Sequence, residues 1–100
     1  MSNVMNVVIL NDSRMLHGYV KTKVFTLTSP YGAIKLYASQ ISYIEYRSGY
    51  SNGKDLVATR NGSTLIGDLL PTVIPIEVEG QTLDIPKSDI HFVVLFTGRG

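Results

Sequence analysis

Four cations in the first half of this 100-residue chain, Lys21, Lys23, Lys35 and Arg47, lie among the tyrosines Tyr31, Tyr37, Tyr43 and Tyr46. A single strand of RNA or DNA needs both kinds of group, cations for its phosphates and flat π faces for its bases. All six tyrosines fall at or before position 50. Lys35 and Tyr37 are two apart, so on a strand they share a face, the outward one if Ile34 and Leu36 point into a core. The competing reading is plainer: tyrosine is a good strand residue that packs at barrel rims and interfaces. Lys54, Arg60 and Lys87 are scattered through the second half and read there as ordinary surface.

Catalytic chemistry is thinly provided. His17 and His91 are the only histidines. Asp12 with His17, or Asp89 with His91, would be the available acid–base pairs, and a His beside an Asp in a turn is common surface. Two unlinked histidines lack the ligand spacing of a metal site. With no cysteine there is no disulfide, no thiol nucleophile and no thiolate ligand. No glycine-rich phosphate loop occurs. We therefore expect no enzyme, no metal and no cofactor. The terminal Gly98-Arg99-Gly100 could add weak affinity for RNA.

Charge is more informative in halves than in total. Residues 1–49 hold five Lys and Arg against two Asp and Glu, a net of 5 − 2 = +3, and residues 50–100 hold four against six, a net of 4 − 6 = −2. Charged residues make up only 17% of the chain, against a usual ~25%, so part of its apolar surface is expected to meet another chain. A head-to-tail contact brings two different patches together each time, and oppositely charged halves suit it. No apolar run reaches the ~18 residues of a membrane-spanning helix. No positive region precedes the first apolar run, so the expected location is cytoplasmic.

These side chains must be positioned by strands. Residues 7–10 and 56–59 are short β-branched runs, and residues 33–37 and 81–85 alternate. Asn61-Gly62 predicts a two-residue type I′ hairpin turn, and Asp12-Ser13 a weaker counterpart. Asn52-Gly53 predicts another hairpin, pairing residues 43–50 with residues 54–59. Pro71 and Pro75 exclude a helix over residues 69–78. Gly18 and Gly67 fall mid-strand, where glycine marks a bend or a close backbone approach. The chain also matches itself. A shift of 49 residues pairs Val8 with Val57, Leu16 with Leu65, Gly18 with Gly67, Val24 with Val73, Ser39 with Ser88 and Ile41 with Ile90, and also Ser2, Asn3 and Gly49 with Ser51, Asn52 and Gly98. Nine identities stand where chance gives ~3. The expected fold is all-β, with two tandem repeats of about 49 residues, 1–49 and 50–100, packed as one rigid unit. The alternative is a single barrel over residues 1–100 that shares strands from both halves.

The segment from Asp55 to Leu69 resembles the first motif of the Sm/LSm family: an apolar strand, an Asn-Gly turn at Asn61-Gly62, an apolar residue, Gly67, one residue and Leu69. The segment from Asp89 to Leu95 resembles the closing strand of that family, and residues 7–20 and 40–46 carry a fainter copy. The resemblance implies a small, bent, Sm-like or SH3-like barrel that assembles as a homo-oligomeric ring. It also places Lys87 near the family's second RNA-binding loop. The expected function is thus non-catalytic binding of nucleic acid, single-stranded RNA above single-stranded DNA, through Lys21, Lys23, Lys35, Tyr37, Arg47 and Lys87. The alternative is a structural or assembly module that binds only protein, in a phage or a multi-protein complex.

Overall fold

The computed structural model describes residues 5–95, apart from the Tyr50 side chain. Ser2, Asn3 and the Gly98-Arg99-Gly100 end lie outside the described residues. The all-β expectation holds: ten strands form, and no α-helix occurs among the described residues. In chain order the strands are β1 Asn6–Leu10, β2 Met15–Val20, β3 Val24–Ser29, β4 Gly32–Tyr37, β5 Ile41–Glu45, β6 Asp55–Thr59, β7 Thr64–Leu70, β8 Val73–Val78, β9 Gln81–Pro86 and β10 Ile90–Val94. Single 3-10 turns at Ala38–Gln40 and Lys87–Asp89 lead into β5 and β10. No helix among the described residues is long and apolar enough to cross a membrane.

Turn chemistry fixes several joins. Asn52 and Gly53 both have positive φ, 58° and 82°, as the type I′ reading requires. They cap a longer connection than expected, because β5 ends at Glu45 instead of running to residue 50. The chain still returns as β6, paired antiparallel with β5. At Asn61-Gly62 only Gly62 is left-handed, with φ 93°, and the Thr59 N–H donates to the Ser63 carbonyl. That is a three-residue loop with glycine in the left-handed position, not a two-residue type I′ turn. Ser13, φ 75°, takes the same position in the β1–β2 loop. There the Arg14 main-chain N–H donates to Asp12 and holds its carboxyl below the usual carboxylate range. Sequence reading missed two hairpin turns: Pro30-Tyr31, between β3 and β4, and Glu79-Gly80, with φ 51° and 82°, a type I′ turn between β8 and β9.

The strands make one antiparallel sheet in the order β4-β3-β7-β6-β5-β10-β1-β2-β8-β9, curled as a half-barrel. Consecutive strands β2 and β3 are not neighbours. β2 pairs with β8, and β3 with β7. The long bent strand expected through Gly18 and Gly67 is in each case two strands, broken at residues 21–23 and 71–72. Pro71 has no N–H to continue a ladder. The glycines sit where strands from the two halves of the chain cross. A Cβ on Gly18 would land on the Glu77 carbonyl, and one on Gly67 on the Thr28 carbonyl. Close backbone approach, the second of the two sequence readings, is thus their role.

The concave side holds the core. Phe25 and Leu27 of β3, Ile74 and Ile76 of β8, and Ile41, Ile44, Ile90 and Val93 of the central pair are buried there. Each such side chain stabilises the fold by about 1.5–3 kcal/mol relative to exposure. The curl leaves β4 and β9 as edge strands, each with one neighbour.

Candidate functional site

Strand pairing draws three of the expected binding residues together. Val24 is opposite Tyr37 and Thr26 opposite Lys35 in the β3–β4 ladder, and the Ala38 N–H donates to the Lys23 carbonyl. Lys23, Lys35 and Tyr37 are all exposed along this edge, and Tyr31, at the β3–β4 tip, is 98% exposed. Leu36 is buried, so Lys35 and Tyr37 share the outward face as their spacing predicts. Lys21 is also exposed, but its ammonium pairs with Glu77 of β8 at 3.1 Å.

Arg47 and Lys87 are held in another arrangement, centred on Asp55 at the start of β6. Its side chain is only 4% exposed. Asp55 Oδ1 accepts the Arg47 N–H at 3.0 Å, and Oδ2 accepts the Leu69 N–H at 2.9 Å and Lys87 Nζ at 2.8 Å. Lys87 Nζ donates a second bond to the Leu69 carbonyl at 2.8 Å and lies 5.9 Å from the centre of the Tyr46 ring. The Arg47 guanidinium donates to the Lys87 and Ile90 carbonyls and to Asn11 Oδ1. Lys87 therefore does not read as ordinary surface: its side chain is 23% exposed and its ammonium is spent on Asp55. A charge buried this far is tolerable only with such a partner. The cluster ties β6, β7, the β5–β6 connection and the turn before β10 into one block. Only a pairing between residues 32 apart could have revealed it, and no local motif carries that signal.

The tyrosines divide as well. Tyr43 packs edge-on against Phe92, with ring centres 5.1 Å apart. Tyr46 is buried, and its hydroxyl has no hydrogen-bond partner. Burial, assisted by the Asp55 charge, raises the Tyr46 pKa well above its ordinary 10.0. The buried Tyr46 ring offers no base-stacking face. Neither histidine has the neighbour expected for it. Asp12 bonds Arg14, and His91 faces Glu45 at 3.8 Å. No cluster of three potential metal ligands occurs among the described residues.

The sheet edges present the remaining chemistry. A groove of about 710 Å³ lies between β9 and the β1–β2 hairpin, floored by Leu10, Leu16, Leu83 and Ile85. A second, of about 480 Å³, lies between β4 and the β6–β7 hairpin, with Ile34, Leu36 and Leu65 in its walls. Ile34 is 47% and Leu83 38% exposed, although each is on the core-facing side of its strand. These are the two places where the curled sheet stops short of closing on itself. Such edges can take up another strand through main-chain bonds. No protein-family model, no curated protein and no solved structure matches this chain.

Proposed function

We propose that this chain is a non-catalytic assembly module that associates with copies of itself through the open edges of its sheet. The observation that carries this reading is the pair of unclosed edges, β4 and β9, each with a core-facing apolar residue, Ile34 or Leu83, left in solvent. Burying such residues against a second strand stabilises association in the same way that it stabilises a core. The low proportion of charged residues supports the same reading, as does the resemblance to ring-forming Sm-like barrels. The 49-residue self-match belongs with it. We read the halves as copies of one five-strand unit that exchange strands across the centre of the sheet. Light scattering during gel filtration at micromolar concentration tests the reading. The expected mass is several times 11.0 kDa, and a clean 11.0-kDa monomer would overturn it.

One specific observation favours a second activity, binding of single-stranded nucleic acid. Lys23, Lys35, Tyr37 and Tyr31 line one exposed edge, while the Lys87 ammonium is bonded to Asp55 and the Arg47 guanidinium, although exposed, to the Lys87 and Ile90 carbonyls and Asn11. The same oligomer, titrated with labelled oligo-U at two salt concentrations, separates the activities. If phosphates are held there, Lys23→Ala should flatten the slope of log K against log salt by ~0.7. No binding at low salt leaves assembly alone.

A further inference from the structure

The two edge strands are chemically complementary. Reading from their starts, β4 is Gly-Ala-Ile-Lys-Leu-Tyr and β9 is Gln-Thr-Leu-Asp-Ile-Pro. Apolar residues match apolar residues, and Lys35 stands where Asp84 stands. Both side chains are exposed, and among the described residues neither has an ion-pair partner.

Backbone direction makes the match usable. Pro75 is opposite Asp84, has no N–H, and gives its carbonyl to the Lys21 N–H on the far side of β8. Pro75 and Asp84 are thus a non-hydrogen-bonded pair, and the N–H and C=O of Asp84 point out of the sheet edge. Thr82 and Pro86 share that parity, so β9 offers outward groups at residues 82, 84 and 86. On β4, the Tyr37 N–H is taken by Gln40 Oε1 at 2.9 Å instead of by β3. Tyr37 therefore points outward, and Ala33 and Lys35 with it. The last outward donor is withdrawn on both edges, by Gln40 on β4 and by Pro86 on β9. The free donors that remain are centred on Lys35 and Asp84.

Resting on the assembly reading above, we propose that β4 of one copy pairs antiparallel with β9 of a second copy, head to tail, with Lys35 opposite Asp84. That register makes them a hydrogen-bonded pair that exchanges two main-chain bonds. Ala33 N–H donates to the Pro86 carbonyl, and Thr82 N–H to that of Tyr37. Ile34 then lies against Ile85, and Leu36 against Leu83, on the face that continues the core. Strand direction fits without distortion. All neighbouring strands in the sheet are antiparallel, so β4 and β9, at opposite ends of a ten-strand order, run in opposite directions. A copy set beside the first by rotation about an axis along the strands continues the alternation. Pairing like edges in the same register would set Lys35 against Lys35, or Asp84 against Asp84, which is unfavourable for directly opposed strand residues.

Charge exchange tests the contact. Lys35→Glu and Asp84→Lys should each weaken association about tenfold or more in sedimentation velocity, and the double variant should regain it. An equimolar mixture of the two single variants should also associate, because each supplies the charge that the other's edges lack. Rescue by mixing shows that both single variants are folded. Asp84→Lys assembling like the native protein, or a double variant that stays dissociated, would overturn the head-to-tail register. If the native protein itself sediments as a monomer, the assembly reading falls with it. If it assembles indifferently to both charges, only this contact falls.

Discussion

Lys87→Ala removes the one ion-pair partner, among the described residues, of a carboxylate that is 4% exposed. The variant would leave Asp55 with two main-chain donors, the Arg47 and Leu69 N–H groups, and strip the Leu69 carbonyl of its bond to Nζ. Removing one member of a buried ion pair typically destabilises by about 3–5 kcal/mol. Lys87 keeps 23% of its side chain in solvent, so water can partly replace it, and the lower end, about 3 kcal/mol, is expected. The other half of the chain indicates how the loss can be relieved. Asn6 lies 49 residues before Asp55, and its Oδ1 accepts the Val20 N–H at 2.9 Å much as Asp55 accepts Leu69. Ala38 lies 49 residues before Lys87, so a neutral amide and a methyl suffice at that end of the sheet. Asp55→Asn combined with Lys87→Ala should therefore stand within about 1 kcal/mol of the native protein, because replacing both charges removes the uncompensated one. The two substitutions should be coupled by about 2 kcal/mol or more. Urea unfolding with an unchanged m-value measures all three variants. A Lys87→Ala loss below about 1 kcal/mol, or a double variant equal to the sum of the singles, would refute the argument that Asp55 depends on this ammonium.

Much of the fold was legible because its signals are local. Alternation at residues 33–37 and 81–85, β-branched runs, and Asn-Gly turns mark strands and joins without knowledge of the partner strand. The mid-strand glycines Gly18 and Gly67 even announced a close backbone approach. The sequence did not say which strand would approach. β2 and β3 have the same alternating character whether they continue one another or separate to pair with β8 and β7, and periodicity carries no partner label. The site was legible only where exposure follows parity, as for Lys35 and Tyr37. The pairing of Lys87 was not legible for a physical reason: a cation next to a turn is indistinguishable from surface until the fold brings a buried carboxylate beneath it. Tyr46 was counted as a stacking face because residue type does not reveal which tyrosine the core takes.

At the strand crossings, Gly67→Ala should lower stability by about 1–3 kcal/mol in thermal or urea unfolding, since its methyl would meet the Thr28 carbonyl and β7 would have to move from β3. Gly18→Ala, against Glu77, should do the same, and no loss at either position would mean that the strands can part there freely. Alkaline pH tests the core through Tyr46. Its folded-state pKa is raised, first by burial and then by the Asp55 charge, whereas the unfolded chain titrates near 10.0. Above that pH the unfolded chain releases a proton that the folded chain retains, so the stability is present below about pH 10 and falls as pH rises further. The fall should approach about 1.4 kcal/mol per pH unit from this group. Tyr46→Phe removes the titrating hydroxyl, which has no hydrogen-bond partner, and leaves the ring in place. The variant should therefore unfold at native or higher urea concentration at pH 7, because no bond is lost. Its stability should also decline less steeply than the native protein's between pH 10 and pH 11. Parallel declines in the two proteins would mean that the Tyr46 hydroxyl reaches solvent, and that the block built on Asp55 and Lys87 is looser than its bond lengths imply.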